Sequence, residues 1–119
     1  MTLVGPRTRE QVAGAMCEAD VLVLPSIAEA TPLVLLEAMS NALPWIASDT
    51  CGSASDLAGG VIVAQGGFAP AITRVLSDVA ARAALGEAGR AAYAGEYSWE
   101  TVAPRYLAAV SSLTRRAAA

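Results

Sequence analysis

Ala19-Asp-Val-Leu-Val-Leu-Pro-Ser26, followed after a short gap by Thr31-Pro-Leu-Val-Leu-Leu-Glu37, is the most informative part of this sequence. The apolar run Val21–Leu24 stops at Pro25-Ser26, which is typical of a strand buried on both faces in a parallel sheet. Pro32 suits the first turn of a helix, with Thr31 as its cap. The two segments therefore predict a strand, a loop over residues 27–31 and a helix, which is one unit of an α/β fold.

The same alternation of strands and helices extends on both sides. Thr8 with Gln11 has the form of a capping box, so a helix is predicted from Thr8 to about Asp20. Short apolar runs predict three further strands, at Leu3-Val4, Pro44–Ser48 and Val61–Ala64. Helical spacing of apolar residues predicts helices in the remainder, the last of which begins at Ser98. The pattern predicts an α/β fold whose parallel sheet has about four strands flanked by helices.

Length and composition limit the classes of function. The 119 residues make one domain, with a formal net charge of −3 and 55% hydrophobic residues. We assign residues 1–114 to this domain and predict a disordered tail over 115–119. The acidic balance argues against a nucleic-acid partner. Neither a transmembrane segment nor a signal peptide is evident, so a cytoplasmic location is expected.

The residues that are missing exclude several chemistries. All eight cationic side chains are arginines, and the chain has neither lysine nor histidine. An imidazole general base, a histidine-ligated metal site, a Schiff base and a P-loop lysine are therefore excluded. The two cysteines, Cys17 and Cys51, suit a reducing compartment and are both interpreted as buried small hydrophobic residues.

A ligand site is expected in the loop after Leu24, because ligands of such sheets bind beyond the carboxyl ends of the strands. Glu37 is a carboxylate in an otherwise apolar helix, and a buried charge without a partner is costly. It lies roughly 7 Å along the helix from Pro32 at about 1.5 Å per residue, a distance that suits a nucleotide. The helix N-terminus would hold a phosphate, Glu37 the ribose hydroxyls, and Glu29 another hydroxylated group. Alternatively, Glu37 pairs with an arginine and Glu29 is an ordinary loop charge.

These segments also resemble a known family. The resemblance rests on motifs that occur in one order along nearly the whole chain: Ala19–Ser26 with Glu29, then Glu37-Ala-Met39, Leu43-Pro-Trp-Ile-Ala-Ser-Asp49, Leu85-Gly-Glu-Ala-Gly-Arg90 and Tyr97-Ser-Trp-Glu100. In this arrangement the sequence is similar to family 4 glycosyltransferases, also called group 1. The resemblance implies the C-terminal part of the Rossmann-like, nucleotide-sugar-binding domain of a GT-B enzyme, incomplete at its N-terminal side.

The resemblance also implies roles for individual residues. Glu37 would bind the ribose, and Glu29 would approach the donor sugar hydroxyls as the catalytic residue. Backbone amides between them would approach the diphosphate, namely those of Ala30, Thr31, Leu33 and Val34. Pro32 has no N–H, so one amide of the usual pattern is lost. The implied reaction is sugar transfer from a nucleotide-diphosphate sugar with retention at the anomeric carbon, without a bound metal or cofactor.

The implied partners are that nucleotide-diphosphate sugar and an acceptor domain on a separate polypeptide. The family's basic pair for the diphosphate would precede residue 1, so the chain is expected to be inactive alone. A second hypothesis keeps the fold but not the catalysis: a truncated remnant or association module that uses an open sheet edge.

Other polar or aromatic residues receive structural interpretations. Arg7 and Arg9 are interpreted as solvated residues at a helix start. Asp49 follows a strand as a phosphoacceptor would, but the chain lacks the lysine that a receiver domain needs. Asp56 is treated as structural. Trp99 is expected to pack in the core, since its spacing with later apolar residues fits a helix face.

Overall fold

The computed structural model describes residues 1–117, which alternate between helices and strands as predicted. The elements in chain order are α1 (Arg9–Glu18), β1 (Leu22–Leu24), α2 (Leu33–Ser40), β2 (Trp45–Ser48), a 3₁₀ helix (Gly52–Asp56), β3 (Gly60–Val63), α3 (Phe68–Ser77), α4 (Val79–Ala92), a π-helical turn (Tyr93–Tyr97) and α5 (Trp99–Ala117). The predicted α/β class is confirmed.

The sheet is parallel, and its strands follow the chain in the order β1-β2-β3. Val23 is paired with Ile46, and Ala47 with Ile62. The prediction of about four strands is wrong for the residues that the structure describes, because Leu3-Val4 is exposed and unpaired there. This run of two residues ends at Gly5, whose φ of 66° turns the chain away from an extended path.

The larger buried cluster lies between the sheet and α2, and a smaller one lies between the sheet and α3. Leu35 and Met39 of α2 are fully buried against β2, where Trp45 is 1% exposed. Burying a leucine or a methionine side chain contributes roughly 1.5–3 kcal/mol relative to leaving it in water. The indole N–H of Trp45 donates to the Ala58 carbonyl oxygen at 3.1 Å, so the large ring is buried without an unsatisfied donor. The α2–β2 contact therefore forms the centre of the molecule.

Helix α4 approaches this core through glycines. A Cβ on Gly86 would overlap the Ala42 carbonyl oxygen just after α2. Further along, a Cβ on Gly59 would lie 2.6 Å from the Cα of Gly89, so two backbones touch without intervening side chains. Gly59 also has a φ of 87°, which a residue with a side chain rarely adopts. Small residues therefore allow α4 to lie close to the sheet and α2.

The first and the last secondary-structure elements of the described residues are helices. Thr8 is the N-cap of α1 and forms the predicted capping box with Gln11, so that prediction is confirmed. At the other end α5 extends to Ala117. The predicted tail, residues 115–119, thus begins within this helix, and residues 118–119 lie outside the described range.

Several burial predictions need correction. Trp99 is 74% exposed and not in the core, and it belongs to an uncovered apolar surface on α5. We call this surface the α5 face; its members are Trp99, Tyr106, Leu107, Val110 and Leu113. Cys51 is buried as predicted, but Cys17 is exposed on α1, where its thiol donates to Oδ1 of Asn41 at 3.4 Å and does not pack in the core. No helix within residues 1–117 is long and apolar enough to cross a membrane.

Candidate functional site

The loop between β1 and α2, residues 25–32, lies at the carboxyl end of the sheet, as the sequence predicts. It runs beside the segment that follows β2, where Glu29 forms an isolated parallel bridge with Cys51. The side chains of Glu29, Ala30 and Thr31 are exposed. This loop is therefore open on one side and supported by backbone contacts on the other.

Helix α2 begins one residue later than predicted. Pro32 occupies the N-cap position, no side chain caps the helix, and Thr31 lies outside it. The Leu35 amide donates to the Pro32 carbonyl at 3.0 Å. Leu33 and Val34 are the first two helical residues, so their amides have no carbonyl one turn earlier to bind. The prediction of Thr31 as cap is wrong, but free amides remain at the expected end of the helix.

Glu37 is exposed, which corrects the expectation of a buried carboxylate that needs a partner. The apolar residues of α2 do not encircle it, because Leu35, Ala38 and Met39 turn toward the core and leave the Glu37 position facing outward. Among residues 1–117 the Glu37 carboxylate has no ion pair. The carboxylate is therefore solvated and available to a ligand.

A groove of about 420 Å³ lies beside Glu37, between α1 and α2. Its polar lining consists of Arg7, Arg9, Glu37, Ser40 and Asn41. Both arginines are exposed, as expected for residues at a helix start. The sequence interpretation did not place them beside Glu37, since only the packing of α1 against α2 brings them there. The sequence did contain a sign of this proximity: α1 and α2 flank the same parallel strand, and two such helices lie side by side.

Glu29 does not line this groove. Its carboxylate Oε1 instead accepts a long hydrogen bond of 3.4 Å from the Ser26 hydroxyl. The structure thus places the two predicted glutamates at separate positions around the start of α2. Asp49 and Asp56 are exposed and lie outside the groove. Across the described 117 residues, no three His, Cys, Asp or Glu side chains cluster as metal ligands would.

The fold occurs in solved glycosyltransferases. Sucrose-phosphate synthase from Thermosynechococcus elongatus superimposes with a TM-score of 0.88 and 31% identity, covering 97% of this chain and 30% of that one. Anabaena Alr3699/HepE, solved in complex with UDP-glucose, gives a TM-score of 0.76 at 21% identity over 82% of this chain and 29% of its own. These likenesses define the chain as part of the GT-B class.

The sequence identifies the family more narrowly. The family model described as "Glycosyl transferases group 1" matches residues 1–78. D-inositol 3-phosphate glycosyltransferase of Streptomyces griseus is 36% identical over 124 aligned residues, which cover 96% of this chain and 26% of that protein. The chain belongs to the group 1 glycosyltransferases, as its motifs predict. It spans about a quarter to a third of the length of these relatives.

Proposed function

We propose that this chain is the donor-binding portion of a retaining glycosyltransferase, which transfers a sugar from a nucleotide-diphosphate sugar to an acceptor. The observation that carries the proposal is the arrangement on α2. The free amides of Leu33 and Val34 begin the helix, and the unpaired Glu37 carboxylate follows one turn later. Ribose hydroxyls and a phosphate group have the complementary chemistry and a matching separation.

Each group has a defined part in this proposal. The amides of Ala30, Thr31, Leu33 and Val34 hydrogen-bond to the diphosphate and stabilise the charge that develops as it leaves. Glu37 accepts hydrogen bonds from the ribose. Glu29 approaches the sugar hydroxyls and orients the reacting carbon for transfer with retention. No metal ion or cofactor has a part in these steps.

The acceptor and the basic groups for the diphosphate are assigned to polypeptide beyond these residues. The relatives support this assignment, since each is more than three times as long as the part matched. We therefore expect the chain to bind a donor but not to turn it over alone. The partner proposed is a separate acceptor-domain polypeptide, and a cytoplasmic location remains a prediction.

Calorimetric titration with UDP-glucose, the ligand of one structural neighbour, tests the proposal. Glu37→Gln keeps the shape of the side chain but removes the charge that strengthens its hydrogen bonds. The loss of one charge-assisted hydrogen bond corresponds to a dissociation constant raised about tenfold or more. The matched control is Glu96→Gln, at an exposed glutamate of the π-helical turn.

Equal affinity of the wild-type chain and Glu37→Gln would show that Glu37 does not bind the ribose. If the folded wild-type chain binds neither UDP-glucose nor the corresponding guanosine and adenosine diphosphate sugars, the donor-binding proposal fails. Circular dichroism of each variant establishes that the fold is retained.

A second candidate, a noncatalytic association module, is favoured by a different observation. The five large side chains of the α5 face are exposed, and exposed apolar clusters of this kind mark interaction surfaces. Strand β1 also lies at an edge of the sheet. Sedimentation velocity across a range of concentrations separates the candidates: a monomer at every concentration that binds UDP-glucose supports only the first.

A further inference from the structure

The segment after β2 holds the donor loop by its backbone. We call residues 48–53 the clamp and residues 26–31 the donor loop. We propose that Gly52 and Thr50 of the clamp are positioning residues, which set the direction of the donor-loop amides. This inference rests on the proposed function, because it assigns the clamp a part in donor binding.

The first contact is at Ser26, where the chain leaves β1. The Ser48 hydroxyl donates a short hydrogen bond to the Ser26 carbonyl oxygen, and the Thr50 hydroxyl donates to the same oxygen at 2.7 Å. A carbonyl oxygen has two lone pairs, so these hydroxyls saturate it. Ser48 is 0% exposed and also contacts the buried Cys51 thiol at 3.2 Å. The start of the donor loop is therefore held by a polar network whose inner members, Ser48 and Cys51, are buried and whose outer member, Thr50, is exposed.

The second contact is at Glu29 and Ala30. The Ser53 amide donates to the Ala30 carbonyl oxygen at 3.3 Å. Between these contacts lies Gly52, and a Cβ there would overlap the carbonyl oxygens of both Glu29 and Ala30. The overlapping atoms are backbone atoms, which cannot rotate away as the end of a side chain can. The donor loop can therefore approach the clamp this closely only while residue 52 has no side chain.

This approach has a direct consequence for the amides. In a planar trans peptide the C=O and the following N–H point in opposite directions, and every peptide bond in the described chain is trans. The Glu29 and Ala30 carbonyls face the clamp, so the N–H groups of Ala30 and Thr31 face away from it, toward the open side. Those are two of the amides assigned to the diphosphate. The clamp thus orients the N–H groups of Ala30 and Thr31, although it contributes no N–H group to the diphosphate itself.

The test compares two ligands on the 119-residue chain. UDP-glucose has the diphosphate and sugar that the donor loop would meet, whereas uridine monophosphate keeps the ribose that Glu37 would meet. Gly52→Ala is expected to raise the dissociation constant of UDP-glucose about tenfold, as for a lost charge-assisted hydrogen bond. The dissociation constant of uridine monophosphate is expected to change less than about twofold, which is much smaller than the roughly tenfold change expected for UDP-glucose.

Three further variants control for folding. Gly66→Ala adds the same methyl group where nothing lies within 4 Å, and it should leave both affinities unchanged. Thr50→Val removes one hydrogen bond to the Ser26 carbonyl with little change of shape, whereas Thr50→Ser keeps it. We expect weaker UDP-glucose binding in the first and recovery in the second.

Amide chemical shifts in the ligand-free chain give a readout independent of binding. Gly52→Ala should shift the signals of Ala30 and Thr31, and Gly66→Ala should not. Donor binding by the wild-type chain with equal affinity in Gly52→Ala and Thr50→Val would overturn the positioning role alone. If the wild-type chain binds neither ligand, the proposed function fails and the positioning role fails with it.

Discussion

Helices α2 and α5 both carry apolar residues at helical spacing, yet the apolar face of α2 is buried and that of α5 is exposed. Helix α2 has eight residues and buries Leu35, Ala38 and Met39 completely against β2 and α4. Helix α5 has 19 residues and leaves five of its large apolar side chains exposed. The shorter helix is the better covered because it lies between two partners, whereas α5 contacts mainly the π-helical turn before it.

The difference shows what an apolar pattern contains. Helical spacing identifies the face of a helix that favours an apolar neighbour. It does not identify the neighbour, nor whether that neighbour is on the same chain. In α2 the neighbours are β2, α4 and the π-helical turn, whereas in α5 the face is free within the described residues. The two helices should therefore respond very differently to the same substitution.

The largest difference in the free energy of unfolding is expected between a leucine-to-alanine substitution in α2 and one in α5. Leu35→Ala removes a fully buried side chain and should lower the free energy of unfolding by about 2–5 kcal/mol. Leu113→Ala, at a leucine that is 64% exposed, should change it by less than about 0.5 kcal/mol. Urea unfolding followed by circular dichroism measures both. Similar losses in the two variants would mean that α5 is covered in solution.

A smaller effect is expected where α4 covers the end of α2. Gly86→Ala forces a methyl group into the Ala42 carbonyl oxygen and should cost about 1–3 kcal/mol of stability through overpacking. Gly95→Ala is the matched control, because nothing lies within 4 Å of its added carbon. Thermal unfolding of both variants checks the prediction. Unchanged stability of Gly86→Ala would mean that α4 does not lie this close to α2.

The smallest change in stability is expected for Trp99→Phe, below about 0.5 kcal/mol, because this ring contacts mostly solvent. The variant is nevertheless informative, since it leaves Trp45 as the remaining tryptophan. Trp45 is buried, so acrylamide should quench the emission of Trp99→Phe far less than that of the wild type. Tyr106→Phe, which keeps both tryptophans, serves as control. Equal quenching in Trp99→Phe and the wild type would contradict the exposure of Trp99.

Much of the fold follows from local patterns. The strands β1 and β2 were predictable because their apolar runs end at turn residues, and α1 because Thr8 and Gln11 cap it reciprocally. The strand predicted at Leu3-Val4 does not form in the structure, because these two residues have no neighbouring strand to pair with. Local sequence specifies which segments favour a strand, whereas pairing depends on the strands that are present.

The site was predictable in position but less so in detail. The loop after β1 and the start of α2 follow from the general location of ligand sites in parallel sheets. Exposure of Glu37 was missed, because a single charge in an apolar helix is compatible with either burial or one solvent-facing position. The clamp was missed because its contacts are made by backbone atoms of the donor loop, which are the same for every sequence.

The contact between Gly59 and Gly89 also constrains how this sequence can diverge. A methyl group at residue 59 meets the Gly89 backbone and a φ of 87°, so shrinking another residue cannot compensate for it. At residue 89 the added carbon would lie 3.3 Å from the Cα of Gly59 and 3.3 Å from Met39 Cγ, and a smaller residue 39 would relieve only the second of these contacts. We therefore expect residue 59 to tolerate only glycine, whereas a substitution at residue 89 should be less costly when residue 39 is smaller.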